Sequence, residues 1–101
     1  MARVEVRWTN RALDELQEIG EYIALDNPDA ASRVVKKVFA AADRLESFPR
    51  SGKKIPEFPL LSHRELVAPP CRVFYRIEES IAWIVHVTRS ERIIRESALS
   101  D

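Results

Sequence analysis

Two apolar stretches, RVFYRI at 72–77 and IAWIVHVT at 81–88, stand three residues apart and are rich in β-branched and aromatic side chains. Such short runs, bounded by the turn signal EES, read as the two arms of an antiparallel hairpin. With residues 78–80 as the turn, Ile77 faces Ile81, Tyr75 faces Trp83 and Val73 faces Val85, apolar against apolar. The opposite face then carries Arg72 across from His86, Phe74 across from Ile84 and Arg76 across from Ala82. A hairpin with an apolar face does not stand alone in water, so the rest of the chain must cover it.

The cover lies upstream. In RVEVRW at 3–8, Val4, Val6 and Trp8 alternate with charges, the pattern of a half-buried strand. Thr9 or Asn10 then caps a helix whose apolar positions Ala12, Leu13, Leu16, Ile19 and Ile23 recur at helical spacing, while Asp14, Glu15, Glu18 and Glu21 give it an acidic outer face. Asn27 and Pro28 open a second helix, expected to run to about Phe48 with Ala31, Val34, Val35, Val38, Ala42, Leu45 and Phe48 as its buried stripe and Pro49 as its stop. A loop of a few residues between two helices makes an antiparallel helical hairpin.

From Pro49 to Ser62, PRSGKKIPEFPLLS has neither period and reads as an irregular connection, either functional or an ordered packing segment built on Ile55, Phe58, Leu60 and Leu61. A short strand near HRELVA precedes the hairpin. The order is β-α-α-β-β-β, an α+β fold: an antiparallel two-helix hairpin on one face of a mainly antiparallel four-stranded sheet. With 101 residues there is material for one core, so residues 1–101 are expected to form a single domain.

The chain has 16 Lys plus Arg and 16 Asp plus Glu, so no global field draws it to nucleic acid and any basic surface must be local. Cys71 is the only cysteine and His63 and His86 the only histidines, which excludes an internal disulfide and makes a metal site or other cofactor unexpected. MARVEVRW lacks the apolar core of a signal peptide and no run approaches the roughly 20 residues of a membrane span. No membrane and a cytoplasmic location are the expectation.

The local basic surface is legible. Between residues 50 and 76 the cations are Arg50, Lys53, Lys54, Arg64, Arg72 and Arg76, opposed only by Glu57 and Glu65, and residues 89–95 add Arg89, Arg92 and Arg95 against Glu91. Arginine forks clustered beside one groove suit phosphate or carboxylate, whereas the same charges scattered on a rim would only keep sheet edges from pairing. The groove is expected on the face of Arg64, Arg72, Phe74, Arg76, Ile84 and His86, with Arg89 and Arg92 at its rim and Arg50, Lys53 and Lys54 as a basic loop. Cleaving RNA there would need a base and an acid among His86, Glu65 and His63, with arginines for the developing charge. His86 equally suits a simple strand histidine hydrogen-bonded in place. Tyr75, Trp8 and Trp83 fall on the apolar parity of their strands and read as core, and Cys71 as a small packing residue. Gly52 between Ser51 and Lys53 superficially suggests a phosphate loop, but the flanking elements come in the wrong order.

WTNRALDELQEIGEYIA at 8–24, LESFPRSGK at 45–53, RELVAPPCRVFYRI at 64–77 and VHVTRSERII at 85–94 occur in order and at spacings that together resemble the RelE/ParE superfamily of type II toxin-antitoxin toxins, more closely its ParE, or plasmid-stabilisation, branch. The resemblance covers nearly the whole chain. It implies a growth-inhibiting toxin held in a hetero-oligomer by a cognate antitoxin, whose flexible segment wraps it. ParE-like members bind and poison DNA gyrase, and RelE-like members cut mRNA on the ribosome. By that resemblance Arg72 corresponds to the groove arginine, Lys53 and Lys54 lie near the basic loop, and Arg89 or Arg92 stands for the arginine after the last strand. The C-terminal tyrosine of the ribonucleases has no counterpart after Tyr75, and Arg89 stands where ParE relatives often carry histidine. The expectation is a binding toxin rather than an enzyme. The alternatives are an endoribonuclease using Arg72, His86, Arg89, Arg92 and Glu65, or a non-toxic homologue that only binds antitoxin.

Overall fold

The computed structural model describes residues 3–100; Met1, Ala2 and Asp101 lie outside them. Strand β1 (Glu5–Trp8) leads into helix α1 (Asn10–Ala24), which Thr9 caps by accepting the Ala12 N–H at 3.1 Å. Helix α2 (Pro28–Asp43) begins where the Asn27 side chain accepts the Ala30 N–H at 3.0 Å and Pro28 occupies the first turn. Both caps satisfy amide hydrogens that the helix itself leaves orphaned. The remaining strands are β2 (Lys53–Lys54), β3 (Arg64–Ala68), β4 (Cys71–Glu78) and β5 (Ile81–Arg89).

The sheet runs in the order β1-β5-β4-β3-β2, with β1 parallel to β5 and every other pair antiparallel. The expected α+β architecture is therefore present. The two-residue β2, drawn from the segment expected to be irregular, adds a fifth strand against Arg64 and Glu65. Leu16, Val38, Ala42 and Leu45 of the helical layer pack on Val73, Tyr75, Ile84 and Val87 of the sheet.

The hairpin register differs from the expected one. The turn is Glu79–Ser80 alone, with Glu79 at φ 56°, so Glu78 pairs with Ile81, Ile77 with Ala82, Arg76 with Trp83 and Tyr75 with Ile84. Two-residue turns match the twist of antiparallel strands, and the shorter turn moves every partner by one. Pairing then passes from Tyr75–Ile84 to Phe74–His86, leaving Val85 over as a bulge, and continues with Val73–Val87 and Arg72–Thr88. Ile84 is consequently core beneath the helices and not a groove residue, while Trp83 and Val85 turn to the opposite face.

That opposite face is covered too. Ile55, Phe74, Val85, Ile94 and Leu99 form a second buried cluster, flanked by Phe58, Leu61 and Trp83. Residues after β5 pack back through Ile94 and a 3₁₀ turn at Glu96–Leu99. Of the four apolar residues expected to order the 49–62 segment, Leu60 is exposed. α2 stops at Asp43 and a 3₁₀ turn continues to Glu46, which swings Phe48 out of the expected stripe to 55% exposure. Among the described residues no helix is long and apolar enough to cross a membrane.

Candidate functional site

Arg72 projects from β4 on the face away from the helices, and two carboxylates enclose it. Its Nε and Nη2 donate to Glu65 Oε2 and Oε1, both at 2.8 Å, and its Nη1 and Nη2 donate to Glu57 Oε2 and Oε1 at 2.8 and 2.9 Å. Four of the five N–H groups an arginine owns are thus engaged. Glu65 is almost wholly buried on β3, tolerable for a carboxylate only because the guanidinium meets it edge-on. The Arg72 fork holds Glu57 down at about 2, with Lys53 contributing its charge, and the two carboxylates push Arg72 further up from its already high value.

The guanidinium also lies 5.0 Å from the centre of the Phe74 ring, and Phe74 stacks on His86 at 5.5 Å. His86 does not lie opposite Arg72, the expected place, but two pairs along, across from Phe74. Its Nδ1 lies 2.9 Å from both oxygens of Glu15 in α1, and because a carboxylate only accepts, Nδ1 carries the proton. Glu15 Oε1 also accepts the Val87 N–H at 3.0 Å, closing the β5 edge just past the end of β1. Burial opposes the ionisation of Glu15, but the bonds from His86 and Val87 and the charge of Arg11 outweigh it and keep its carboxyl below the ordinary value.

The other expected site residues divide. Arg89 lies 4.6 Å over the Tyr22 ring and 3.6 Å from Glu91, and Arg92 joins it in lining a cleft of about 680 Å³ between α1 and β5, with Glu15 and Glu18 from α1 and His86 from β5. Arg64 faces the 49–52 turn, donating to the Gly52 carbonyl at 2.7 Å and reaching that of Arg50 at 3.5 Å. Arg76 pairs with Glu78 at 2.8 Å and lies 6.0 Å from the Trp83 ring. Lys53 and Lys54 are exposed on the outermost strand, and Arg50 is exposed in the turn before it. Phe74 is fully buried beneath the C-terminal segment, so the expected open groove is filled by the chain's own residues.

Tyr75 is also committed. Its hydroxyl donates to the Pro49 carbonyl at 2.8 Å and accepts the Gly52 N–H at 3.0 Å, with the ring in the core as expected. Cys71 is buried and its thiol is pushed up by that burial. Two residues that the sequence did not assign to the site belong to it: Glu15, expected on the acidic outer face although it stands one position before Leu16 of the apolar stripe, and Glu57, one of only two acids among the cations of 50–76.

Comparison with known proteins bears on this geometry. Residues 6–94 match the family described as the ParE toxin of the type II toxin-antitoxin system parDE. A Sinorhizobium fredii relative, Y4kP, a toxin by name, is 45% identical over 83 residues, covering 80% of this chain and 83% of that protein. Toxin RelE2 of Caulobacter vibrioides is 33% identical over 90 residues, covering 88% of this chain and 98% of that one. Two solved structures share the fold: the chromosomal ParDE system of P. aeruginosa, at TM-score 0.74 and 21% identity over 90% of this chain and all of that one, and the RelBE2 complex of Mycobacterium tuberculosis, at 0.59 and 23% over 91% and 97%. Matched over nearly its whole length, this chain belongs to the ParE toxin family of type II toxin-antitoxin systems.

Proposed function

We propose that residues 1–101 act as one toxin domain that inhibits its target, DNA gyrase, by binding in the cytoplasm, and that a cognate antitoxin neutralises it in a hetero-oligomer. The observation that carries the choice of binding over cutting is Arg72. A ribonuclease needs its groove arginine free to meet charge accumulating on phosphate, and here buried Glu65 holds the inner edge of Arg72 whether or not Glu57 occupies the outer one. Its neighbour Phe74 lies under Leu99 and Ile94, which leaves no room for a base stacked on that ring. The antitoxin partnership is supported by the family description and by two structural neighbours that come from toxin-antitoxin systems.

One observation favours the second reading, an mRNA endoribonuclease. Glu15 fixes His86 with its proton on Nδ1, as a carboxylate orients a catalytic imidazole, and the arginines of the α1/β5 cleft lie alongside. The deciding experiment incubates the purified protein with gyrase and, separately, with translating ribosomes. Inhibited supercoiling beside intact message is expected. Untouched supercoiling together with cut message, abolished by His86→Ala, would replace the binding reading with the nuclease one.

A further inference from the structure

The two carboxylates on Arg72 are not equivalent. Glu65 is fixed in β3 with its side chain 1% exposed, whereas Glu57 hangs from the irregular segment between β2 and β3 with its side chain 41% exposed. Ile55 and Phe58 anchor that segment in the second core, so Glu57 can leave Arg72 by rotating its own side chain into solvent without unpacking anything. We infer that Glu57 is a built-in occupant of an oxyanion site, and that a carboxylate side chain of a partner protein takes its place on the outer edge of Arg72 while Glu65 stays.

The charges support the exchange. With Glu57 turned away, Arg72 and nearby Lys53 oppose Glu65 alone, an excess of one positive charge. A carboxylate restores the balance charge for charge and offers two coplanar oxygens to the same Nη1–Nη2 fork, which Glu57 meets at 2.8 and 2.9 Å. A phosphate dianion would set two charges near buried Glu65 where a carboxylate sets one. Glu57 thereby sets a threshold: only a partner that presents a carboxylate at high local concentration, as part of a larger interface, displaces an intramolecular competitor. The inference deepens the protein-binding reading and rests on it, but the exchange itself is measured with no target present.

The test uses the full chain with ¹⁵N-labelled arginine, as wild type, Glu57→Ala and the near-isosteric Glu57→Gln. Acetate and, separately, inorganic phosphate are titrated while the Arg72 side-chain resonances are followed by NMR. Saturable shifts with acetate at least tenfold tighter in Glu57→Ala than in wild type are expected, with Glu57→Gln between them. Should Glu57→Ala fail to fold, the Gln variant against wild type makes the same comparison. Equal acetate affinity in wild type and variant, or no saturable shift in a folded variant, overturns the inference. Phosphate saturating below acetate also overturns it, in favour of a phosphate ligand such as RNA. Whether the chain inhibits gyrase bears only on the proposed target, whereas the acetate and phosphate titrations decide the exchange.

Discussion

Single residues here hold turns and edges that backbone pairing alone leaves open. Gly52 has no room for a side chain: a Cβ there would lie 2.6 Å from both Cε1 and the hydroxyl of Tyr75 and 2.8 Å from the Glu65 carbonyl. The sequence reads PRSGK as part of an irregular connection and gives no sign that an aromatic hydroxyl from β4, 23 residues on, closes it. Removing that hydroxyl in Tyr75→Phe leaves a buried N–H and a carbonyl without partners, so a loss of about 1–3 kcal/mol in urea unfolding is expected, with the fold retained. His63 gives a pH dependence. Its Nε2 donates to the Leu99 carbonyl at 3.1 Å while its buried Nδ1 has no partner among the described residues, and burial, with the charge of Arg76, lowers its pKa from 6.5. The folded state therefore takes up the proton less readily than the unfolded chain. Its contribution is complete above pH 6.5 and is lost as pH falls through the depressed value. The urea midpoint is expected to drop between pH 7 and pH 5 by more in wild type than in His63→Gln.

Elements set by chemistry between near neighbours are legible in the sequence, and those set by a partner strand are not. Thr9, Asn27 and Pro28 announce both helices because capping is chemistry between residues two or three apart. The β4–β5 register depends on whether two or three residues make the turn and on a bulge at Val85, neither of which alternation reveals, and a slip of one exchanges the faces. This moved Ile84 into the core and took His86 from Arg72 to Phe74. Glu15 then fastens α1 to β5 by a contact 71 residues apart in sequence. In Glu15→Ala both the Val87 N–H and His86 Nδ1 lose their acceptor. The Val87 amide is expected to exchange with solvent at least tenfold faster, with a loss of about 1–3 kcal/mol. Glu15→Gln, which keeps one acceptor oxygen, should lose less, and equal exchange in all three proteins would show that the edge is held without Glu15.

Over the whole molecule, the sheet is a wall between two cores of different origin. The helical core could be foreseen because its residues recur with a period. The second gathers Ile55 from a loop, Phe74 and Val85 from facing strands and Ile94 and Leu99 from the tail, residues that share no period and no neighbourhood in the sequence. Ile93 and Ile94 show why the tail resisted reading: adjacent and chemically identical, one is 93% exposed and the other 5%. The tail is thus part of the folded body, and its burial of Phe74 is what fills the groove that the basic residues suggested. Truncating Leu99, 1% exposed, removes buried methyl groups and leaves a cavity against Phe74 and Val85, so Leu99→Ala should cost about 2–5 kcal/mol. Ile93→Ala should stay within about 0.5 kcal/mol, as exposed substitutions do. If the tail merely rested on a sheet stable without it, Leu99→Ala would leave the unfolding midpoint where it was and the two variants would melt together. A separation of several degrees between them is the expected result, because a 101-residue domain shifts its Tm by roughly 4–8 °C per kcal/mol.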